Sequence, residues 1–249
     1  MSRSEFIYGR HPVMEQLSAR PEAVRRVMIA DGTKHPSVDE LRALAERHRV
    51  RVDRLPRRKL EGLVGRVTHQ GVAAEVEPFP YADLDDLLSV VEASGQPALL
   101  MILDQIQDPH NLGAILRSAY ALGAHGVVIV KDRASDVTGT VSKASAGAAT
   151  KIPIARVTNL RSALESLKKS GIWVFGTSLQ ATKELGDVDL TGQVALVIGN
   201  EGKGLRRLVA ETCDELVKIP MSGELGSLNA SVSAAIALYE TVRQRSKGA

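Results

Sequence analysis

The most constraining feature of the chain is a set of apolar strands that each run directly into a loop of small or polar residues. Residues 195–198 read ALVI and lead into the loop GNEGKG, and residues 216–219 end at Pro220 before a Gly/Ser loop. A third such loop follows the apolar run that ends at Leu103. Because the carboxyl ends of parallel strands meet at one edge of a sheet, these loops predict a ligand-binding cradle there.

The order of the elements predicts an α/β fold. From residue 98 onward, near-continuous apolar strands alternate with helices, which indicates a buried parallel sheet with helices on both faces. We expect strands at 98–103, 126–131, 152–157, 172–177, 194–198 and 215–219. We expect helices at 111–122, 138–147, 159–170, 204–211 and 228–245.

The first 76 residues predict a smaller α/β domain. Its helices are expected at Pro12–Arg20, after Ser37 and after Pro56, and its strands at Val24–Ala30, Val50–Leu55 and Gly71–Val76. Ser37 is a suitable N-cap, since Glu40 follows at the spacing of a capping box. Prolines and glycines punctuate residues 77–97, so we expect a domain at 1–76, a linker with a short helix after Asp83, and a domain at 98–249.

Charge and cysteine content limit the binding partners and the cellular location that we expect for the protein. Between Arg42 and Arg66 there are nine basic and three acidic residues. Arginine pairs with phosphate as a bidentate fork, which favours an RNA partner, although a solvated Arg-rich surface explains the same pattern. Cys213 is the only cysteine, no Cys/His set has metal-ligand spacing, and no apolar run approaches 18 residues. We therefore expect a cytoplasmic protein without a metal or a membrane span.

Familiar nucleotide and hydrolase motifs do not fit the glycine loop. Residues 199–204 are not followed by the Gly-Lys-Ser/Thr of a P-loop, and no strand leads into G-x-G-x-x-G. A G-x-S-x-G elbow does not occur either. ATP hydrolysis, nicotinamide chemistry and serine-hydrolase chemistry are therefore not favoured.

Three segments, at 103–117 (LDQIQDPHNLGAILR), 195–204 (ALVIGNEGKG) and 227–231 (SLNAS), resemble the three signature motifs of the SpoU (TrmH) family. The resemblance covers about residues 98–245. It implies methyl transfer from S-adenosylmethionine to a ribose 2′-hydroxyl of RNA, and homodimers whose active sites draw on both subunits. It also implies a C-terminal trefoil knot of the SPOUT type, which the rarity of knots would otherwise argue against.

The branch of the family that this chain resembles most methylates a guanosine of 23S ribosomal RNA. Methylation of tRNA or of another rRNA nucleotide is an alternative, as is a non-enzymatic RNA-binding module. Residues 8–13 (YGRHPV) and 69–73 (HQGVA) are similar to the two ends of the small substrate-binding domain of this branch, which resembles ribosomal protein L30.

The resemblance assigns roles to individual residues. Contacts to the donor are implied for Gly199, Ile219 and Leu228, with Thr177 as a further wall. The reactive centre is implied for Asn111, Arg117, Glu201, Ser227 and Asn229. Simpler roles remain open for most of them: a turn glycine at 199, core packing at 219 and 228, and helix capping at 111, 201 and 227.

Arg117 is commonly assigned in the family as the general base for the 2′-hydroxyl. An arginine keeps its proton at neutral pH, and removing it at pH 7 would cost about 7 kcal/mol. A cation that stabilises phosphate and the developing alkoxide avoids this cost. Both roles remain open, as does a lesser part for His110 as a base. In the last helix, Val232, Ile236 and Val242 are candidates for either a dimer interface or the monomer core.

Overall fold

The computed structural model describes residues 5–65, 67–222 and 227–247. The first of its two units runs to Pro80 and includes Val137–Lys143, and the second comprises Tyr81–Asp136 and the chain from Ala144 onward. Arg66, the last residue of the predicted basic stretch, lies outside the described residues. No helix in the described ranges is both long enough and apolar enough to cross a membrane.

The first unit is built on a four-stranded sheet. Its elements are β1 Glu5–Tyr8, α1 Arg10–Ala19, β2 Val24–Ala30, α2 Pro36–Arg47, β3 Arg51–Leu55, α3 Arg57–Val64 and β4 Val72–Val76. The strand order is β1-β4-β2-β3, with β4 antiparallel to β1 and β2, and β3 parallel to β2 at the edge. The sequence did not predict β1, because its four residues are too few to show an alternating pattern.

Alternation along β2 divides the core of this unit into two layers. Val27 and Ile29 pack with α1 and α2, whereas Met28 and Ala30 pack with Leu60 of α3. Residues on successive positions of a strand face opposite sides of the sheet. The sheet is therefore covered by helices on both faces.

The starts of α1 and α2 were not fully predicted from the sequence. The Nδ1 atom of His35 accepts a hydrogen bond of 3.2 Å from the amide of Ser37, so His35 and not Ser37 caps α2, and Pro36 takes the first helical position. Gly9 has no side chain to cap α1. Instead, Gln70 accepts a 3.2 Å bond from the Arg10 amide, which connects the segments YGRHPV and HQGVA.

The remaining elements follow the predicted alternation closely. They are α4 Leu84–Ser94, β5 Leu99–Asp104, α5 Pro109–Ala121, β6 Gly126–Val130, α6 Gly139–Ala144, β7 Ile154–Val157, α7 Leu160–Lys169, β8 Trp173–Thr177, β9 Lys183–Glu184, β10 Val194–Gly199, α8 Arg207–Thr212, β11 Glu215–Lys218 and α9 Ala230–Lys247. The two-residue strand β9 was not predicted.

The second unit contains a seven-stranded sheet in the order β7-β6-β5-β10-β8-β11-β9, and all of its pairings are parallel. From β5 the chain moves outward to β6 and β7, and it then returns to fill the other side of the sheet. The strand order therefore reverses between β5 and β10. In open α/β sheets, ligands bind in the crevice at the carboxyl ends of the strands at such a switch point.

Helices of the second unit bury the strands. Leu87 of α4, Leu164 of α7 and Val209 of α8 share one core cluster with Ile102 and Val197 of the central strands. The helices α5 and α9 contact each other, and they lie against β6 and β10 respectively. The predicted linker at 77–97 thus contains a helix, α4, that belongs to the core of the second unit.

Candidate active site

A cleft of about 810 Å³ lies at the carboxyl ends of β8, β10 and β11. Its size is typical of small-molecule sites. Six residues predicted from the sequence line it: Thr177, Gly199, Glu201, Ser227, Ile219 and Leu228. Apolar walls come from Leu179, Leu205, Leu216 and Met221, and cationic groups from Lys203, Arg207 and Lys218.

Gly199 is required by the loop that follows it. The loop closes on itself, since the Asn200 amide donates to the Gly204 carbonyl at 3.1 Å and the Gly204 amide returns a 2.8 Å bond. A Cβ atom on Gly199 would lie 2.3 Å from the carbonyl carbon of Gly204. From the sequence we expected glycine here because its missing side chain would let a ligand approach the backbone. In the structure, the backbone of the loop itself lies too close to Gly199 for any side chain.

Asn200, to which the sequence analysis gave no role, ties this loop to the end of β5. Its Oδ1 accepts bonds of 3.1 Å and 3.3 Å from the amides of Gly202 and Lys203. Its Nδ2 donates to the Gln105 carbonyl at 3.0 Å and to Glu201 at 3.3 Å. An asparagine that satisfies both ends of its amide in this way fixes the loop shape.

Glu201, Asn111 and Asn229 form a hydrogen-bonded chain that we call the amide network. Asn111 Nδ2 donates to Glu201 Oε1 at 2.6 Å, and Asn229 Nδ2 donates to Asn111 Oδ1 at 2.9 Å. Asn229 Oδ1 in turn accepts from the Ser231 amide at 2.8 Å. A carboxylate only accepts and a backbone amide only donates, so the orientation of both asparagine side chains is determined from each end.

Helix capping explains how Asn111 becomes available to this network. Asp108 Oδ1 accepts a 2.9 Å bond from the His110 amide and caps α5, so the suggestion that Asn111 caps this helix is wrong. Asn111 lies in the first turn with its side chain buried. At α9 the cap is Asn229 and not Ser227, which lies exposed on the rim of the cleft. The suggested cap at Ser227 is therefore also wrong.

Arg117 lies apart from the other predicted residues. It is exposed on α5, nearly two turns beyond the buried Asn111, as the six-residue spacing between them indicated. It is not among the described residues that line the cleft. Within the described part of the chain it also forms no ion pair, so its guanidinium is available to another molecule.

Thr177 lines the cleft, and its hydroxyl is already engaged, since it donates to the Val197 carbonyl at 3.1 Å. Burial raises the pKa of Cys213 to about 12, so this cysteine is a neutral thiol at physiological pH.

No group of three or more His, Cys, Asp or Glu side chains in the described ranges is arranged to hold a metal ion.

Comparisons with known proteins identify the family of the chain. Residues 98–239 match the SpoU rRNA Methylase family, and residues 6–82 match the domain described as RNA 2'-O ribose methyltransferase substrate binding. The chain is 46% identical over 243 residues to the 23S rRNA (guanosine-2'-O-)-methyltransferase RlmB of Xanthomonas campestris pv. campestris, with 98% of each chain covered. RlmB of Pseudomonas putida is 44% identical over 245 residues, again with 98% of each chain covered.

A solved structure of the SpoU methyltransferase AviRb from Streptomyces viridochromogenes in complex with the cofactor AdoMet is similar with a TM-score of 0.64 and 29% identity. The alignment covers 98% of this chain and 92% of that chain. One family model spans more than half of the chain, and relatives above 40% identity align along nearly all of it. The chain therefore belongs to the SpoU rRNA methylase family.

Proposed function

We propose that the protein transfers a methyl group from S-adenosylmethionine to the ribose 2′-hydroxyl of a guanosine in 23S ribosomal RNA. The observation that carries the proposal is the amide network beside the cleft at the carboxyl ends of β8, β10 and β11. The names of the two RlmB relatives support the choice of guanosine and of 23S RNA. We also propose a cytoplasmic location, which an rRNA substrate would require.

The cleft suits the methyl donor. Apolar side chains such as Leu179, Leu205 and Met221 offer surfaces for an adenine ring. Backbone groups at Gly199, Ile219 and Leu228 lie at strand and helix ends, where amides and carbonyls are free to bind its polar edge. When bound, the donor supplies a sulfonium-linked methyl group that a ribose oxygen can accept.

The amide network would hold the acceptor side of the reaction. Glu201 presents a carboxylate whose position is fixed by Asn111 and Asn200, so it can orient a ribose hydroxyl without rearrangement. Ser227, on the rim, presents a hydroxyl to the same cleft. Arg117 would hold phosphate and stabilise the developing alkoxide as a cation.

Because Arg117 does not line the cleft of its own chain, we propose that it serves the cleft of a second copy in a homodimer. Beside it, α5 and α9 form an apolar groove lined by Ala114, Ser118, Ser231, Val232, Ala235, Ile236 and Tyr239. Val232 is 45% exposed and Tyr239 is 59% exposed, although both are large apolar groups. Exposed apolar patches of this kind mark interaction sites.

The predicted interface residues divide at this groove. Val232 and Ile236 line it, whereas Val242 is half-buried and is not among its lining residues.

Sedimentation at assay concentration tests whether the protein is a dimer. We expect a dimer for the wild type and a slower-sedimenting, inactive species for Val232→Asp, and an active wild-type monomer would contradict the proposal.

RNA affinity is assigned to the first unit. Five basic residues lie in β3 or close to it in sequence. Arg47 ends α2, Arg49 lies between α2 and β3, Arg54 lies in edge strand β3, and Arg58 and Lys59 lie in the first turn of α3. We call these five residues the β3 stripe. All five are exposed, and none forms an ion pair with another described residue. Neighbouring cations differ, since Arg51 pairs with Asp53 and Arg57 pairs with Glu61. Unpaired cations can release counterions from RNA on binding.

We further propose the finer points of architecture. Residues 1–76 would be the L30-like substrate-binding domain and residues 98–249 the catalytic domain, in which the C-terminal segment ties a trefoil knot. After β11, which lies between β8 and the edge strand β9, the chain returns through α9 to contact β10 and α5, and this path is compatible with such a knot. An experimental structure would test the knot. When both chain ends are held fixed and the backbone trace is shortened step by step, an unknotted chain becomes a straight line and a knotted chain does not.

The activity itself is tested in two steps. Titration calorimetry with S-adenosylmethionine should show binding to the wild-type protein, alone or with RNA. Incubation with methyl-labelled donor and RNA from cells lacking the gene should then place label on a 23S guanosine. Label on tRNA or on another rRNA nucleotide would redirect the substrate assignment. Wild-type protein that binds no donor would remove the enzymatic proposal.

A further inference from the structure

The buried carboxylate of Asp104 forms two hydrogen bonds with Arg206, which follows the glycine loop and precedes α8. Asp104 ends β5, and its side chain is fully buried. Its Oδ2 accepts a 2.8 Å bond from the backbone amide of Arg206, and its Oδ1 accepts a 2.7 Å bond from Arg206 Nε. Hydrogen bonds in which at least one group is charged are short and strong, so these two bonds constrain both the backbone and the side chain of Arg206.

Asp104 also stands where the loop begins. In the parallel register of β5 and β10, Gly199 is the partner of Asp104. The chain therefore leaves the sheet beside Asp104, traverses residues 200–205, and returns to the side chain of the same residue. Both ends of the loop are held by one position in the fold.

The residues between these two ends all line the cleft, together with residues from other segments. Gly199 to Leu205 all face it, and Glu201 within this segment holds the amide network. Asp104 and Arg206 are not among the lining residues in the described part of the chain. The pair can therefore influence the cleft only through the loop that it holds.

We propose that Asp104 and Arg206 are positioning residues that hold residues 199–205 in the form that binds the methyl donor. This inference rests on the proposed function, because it assigns the loop to the donor. A pair that served stability alone would lower the melting temperature of the protein and leave the affinity of the folded form unchanged.

The test compares Asp104→Asn and Arg206→Gln with wild type by donor titration and single-turnover methyl transfer to 23S RNA. Asp104→Asn alters both bonds, and we expect donor binding to weaken by roughly 10-fold or more. Arg206→Gln keeps the backbone bond, so we expect a smaller loss, of about 3- to 10-fold. With saturating donor and RNA, both variants should transfer methyl within about 3-fold of wild type, because the loss is one of ground-state binding.

Arg161→Gln is the matched control. Arg161 Nε donates to Glu165 Oε1 at 2.9 Å on the exposed surface of α7, so this variant removes a similar bond away from the loop. Its donor affinity should equal that of wild type. If Asp104→Asn fails to fold, Arg206→Gln decides the question, because the Arg206 side chain is 46% exposed and its replacement leaves no cavity in the core.

Two outcomes would overturn the inference, and they are distinguishable. Folded Arg206→Gln with wild-type donor affinity would overturn the positioning role and leave the proposed function intact. Wild-type protein that binds no donor would overturn the proposed function and this inference with it. A selective rise in the donor KM, with the turnover rate retained, is the result that supports the positioning role.

Discussion

The β3 stripe and the amide network differ in whether their polar side chains already have hydrogen-bond or ion-pair partners within the protein. In the network, Asn111 and Asn229 are both hydrogen-bonded, and each bond has only one possible direction. In the stripe, five exposed cations in β3 and in the adjoining segments have no ion-pair partner among the described residues. The network is organised before any ligand arrives, whereas the stripe offers charge alone.

This difference predicts two kinds of response to mutation. A preorganised network loses its function when one member changes, because positions within it depend on each other. A set of exposed cations loses affinity in small, additive and salt-dependent steps.

Arg117→Lys should slow methyl transfer by roughly 100-fold or more, because lysine keeps the charge but loses the planar fork that can hold phosphate and alkoxide together. Donor affinity and the melting temperature should stay near wild type, since Arg117 is exposed and outside the cleft. Single-turnover transfer at saturating donor and RNA is the measurement. A rate within a few-fold of wild type would remove Arg117 from the mechanism and leave the network alone as the reactive part.

Asn111→Ala should lower the transfer rate by roughly 10- to 100-fold, because Glu201 and Asn229 each lose a bond, and bonds to charged groups contribute about 1.5–3 kcal/mol. Asn159→Ala is the control. Asn159 caps α7 by accepting a 3.2 Å bond from the Ser162 amide, so its loss should cost about 1 kcal/mol of stability and spare the rate. Equal rates for the two variants would show that the network is only structural.

Arg54→Gln and Arg58→Gln should each weaken RNA binding by a few-fold and reduce the log–log salt slope by about 0.7–0.9. The double variant should show the sum of the two changes. Lys169→Gln, which removes one exposed charge from α7 in the other unit, should leave the slope unchanged. Binding isotherms at several salt concentrations measure this. A steep, non-additive loss would mean that the stripe, too, depends on defined geometry.

Cys213 provides the smallest expected effect. Burial raises its pKa to about 12, so the reactive thiolate is scarce at pH 8, and alkylation by iodoacetamide should be at least roughly 100-fold slower than for free cysteine. Cys213→Ala should transfer methyl at the wild-type rate, because the thiol belongs to neither region. Rapid alkylation that abolishes transfer would show that the reactive region extends beyond the network.

Periodicity was sufficient to predict most of the second unit. Its long apolar strands, such as β5 and β10, lie within one or two residues of their predicted positions because burial on both faces leaves a continuous apolar run. Short elements at sheet edges, such as β1 and β9, leave no such pattern. The reversal of strand order between β5 and β10 depends on long-range pairing, which local sequence does not encode.

The sequence suggested which residues belong to the site but not how they are connected. The family resemblance named Asn111, Glu201 and Asn229 as members of a reactive centre, and that role stays a prediction. Nothing in the sequence indicates that these three side chains bond to one another over 90 and 118 residues. Asp104 was visible as a carboxylate ending an apolar strand, a costly place for charge unless it has a partner. That signal could have identified it, although its partner Arg206 becomes apparent only in the fold.

The most direct test of the whole account is to locate the transferred methyl group. Methyl-labelled S-adenosylmethionine, wild-type protein and 23S RNA from cells lacking the gene should give a single labelled guanosine. Its 3′-phosphodiester bond should resist alkali, because the 2′-oxygen is blocked. The same RNA with a 2′-deoxy sugar at that guanosine should accept no label. Label on a base, or undiminished transfer to the deoxy substrate, would contradict a ribose 2′-O-methyltransferase.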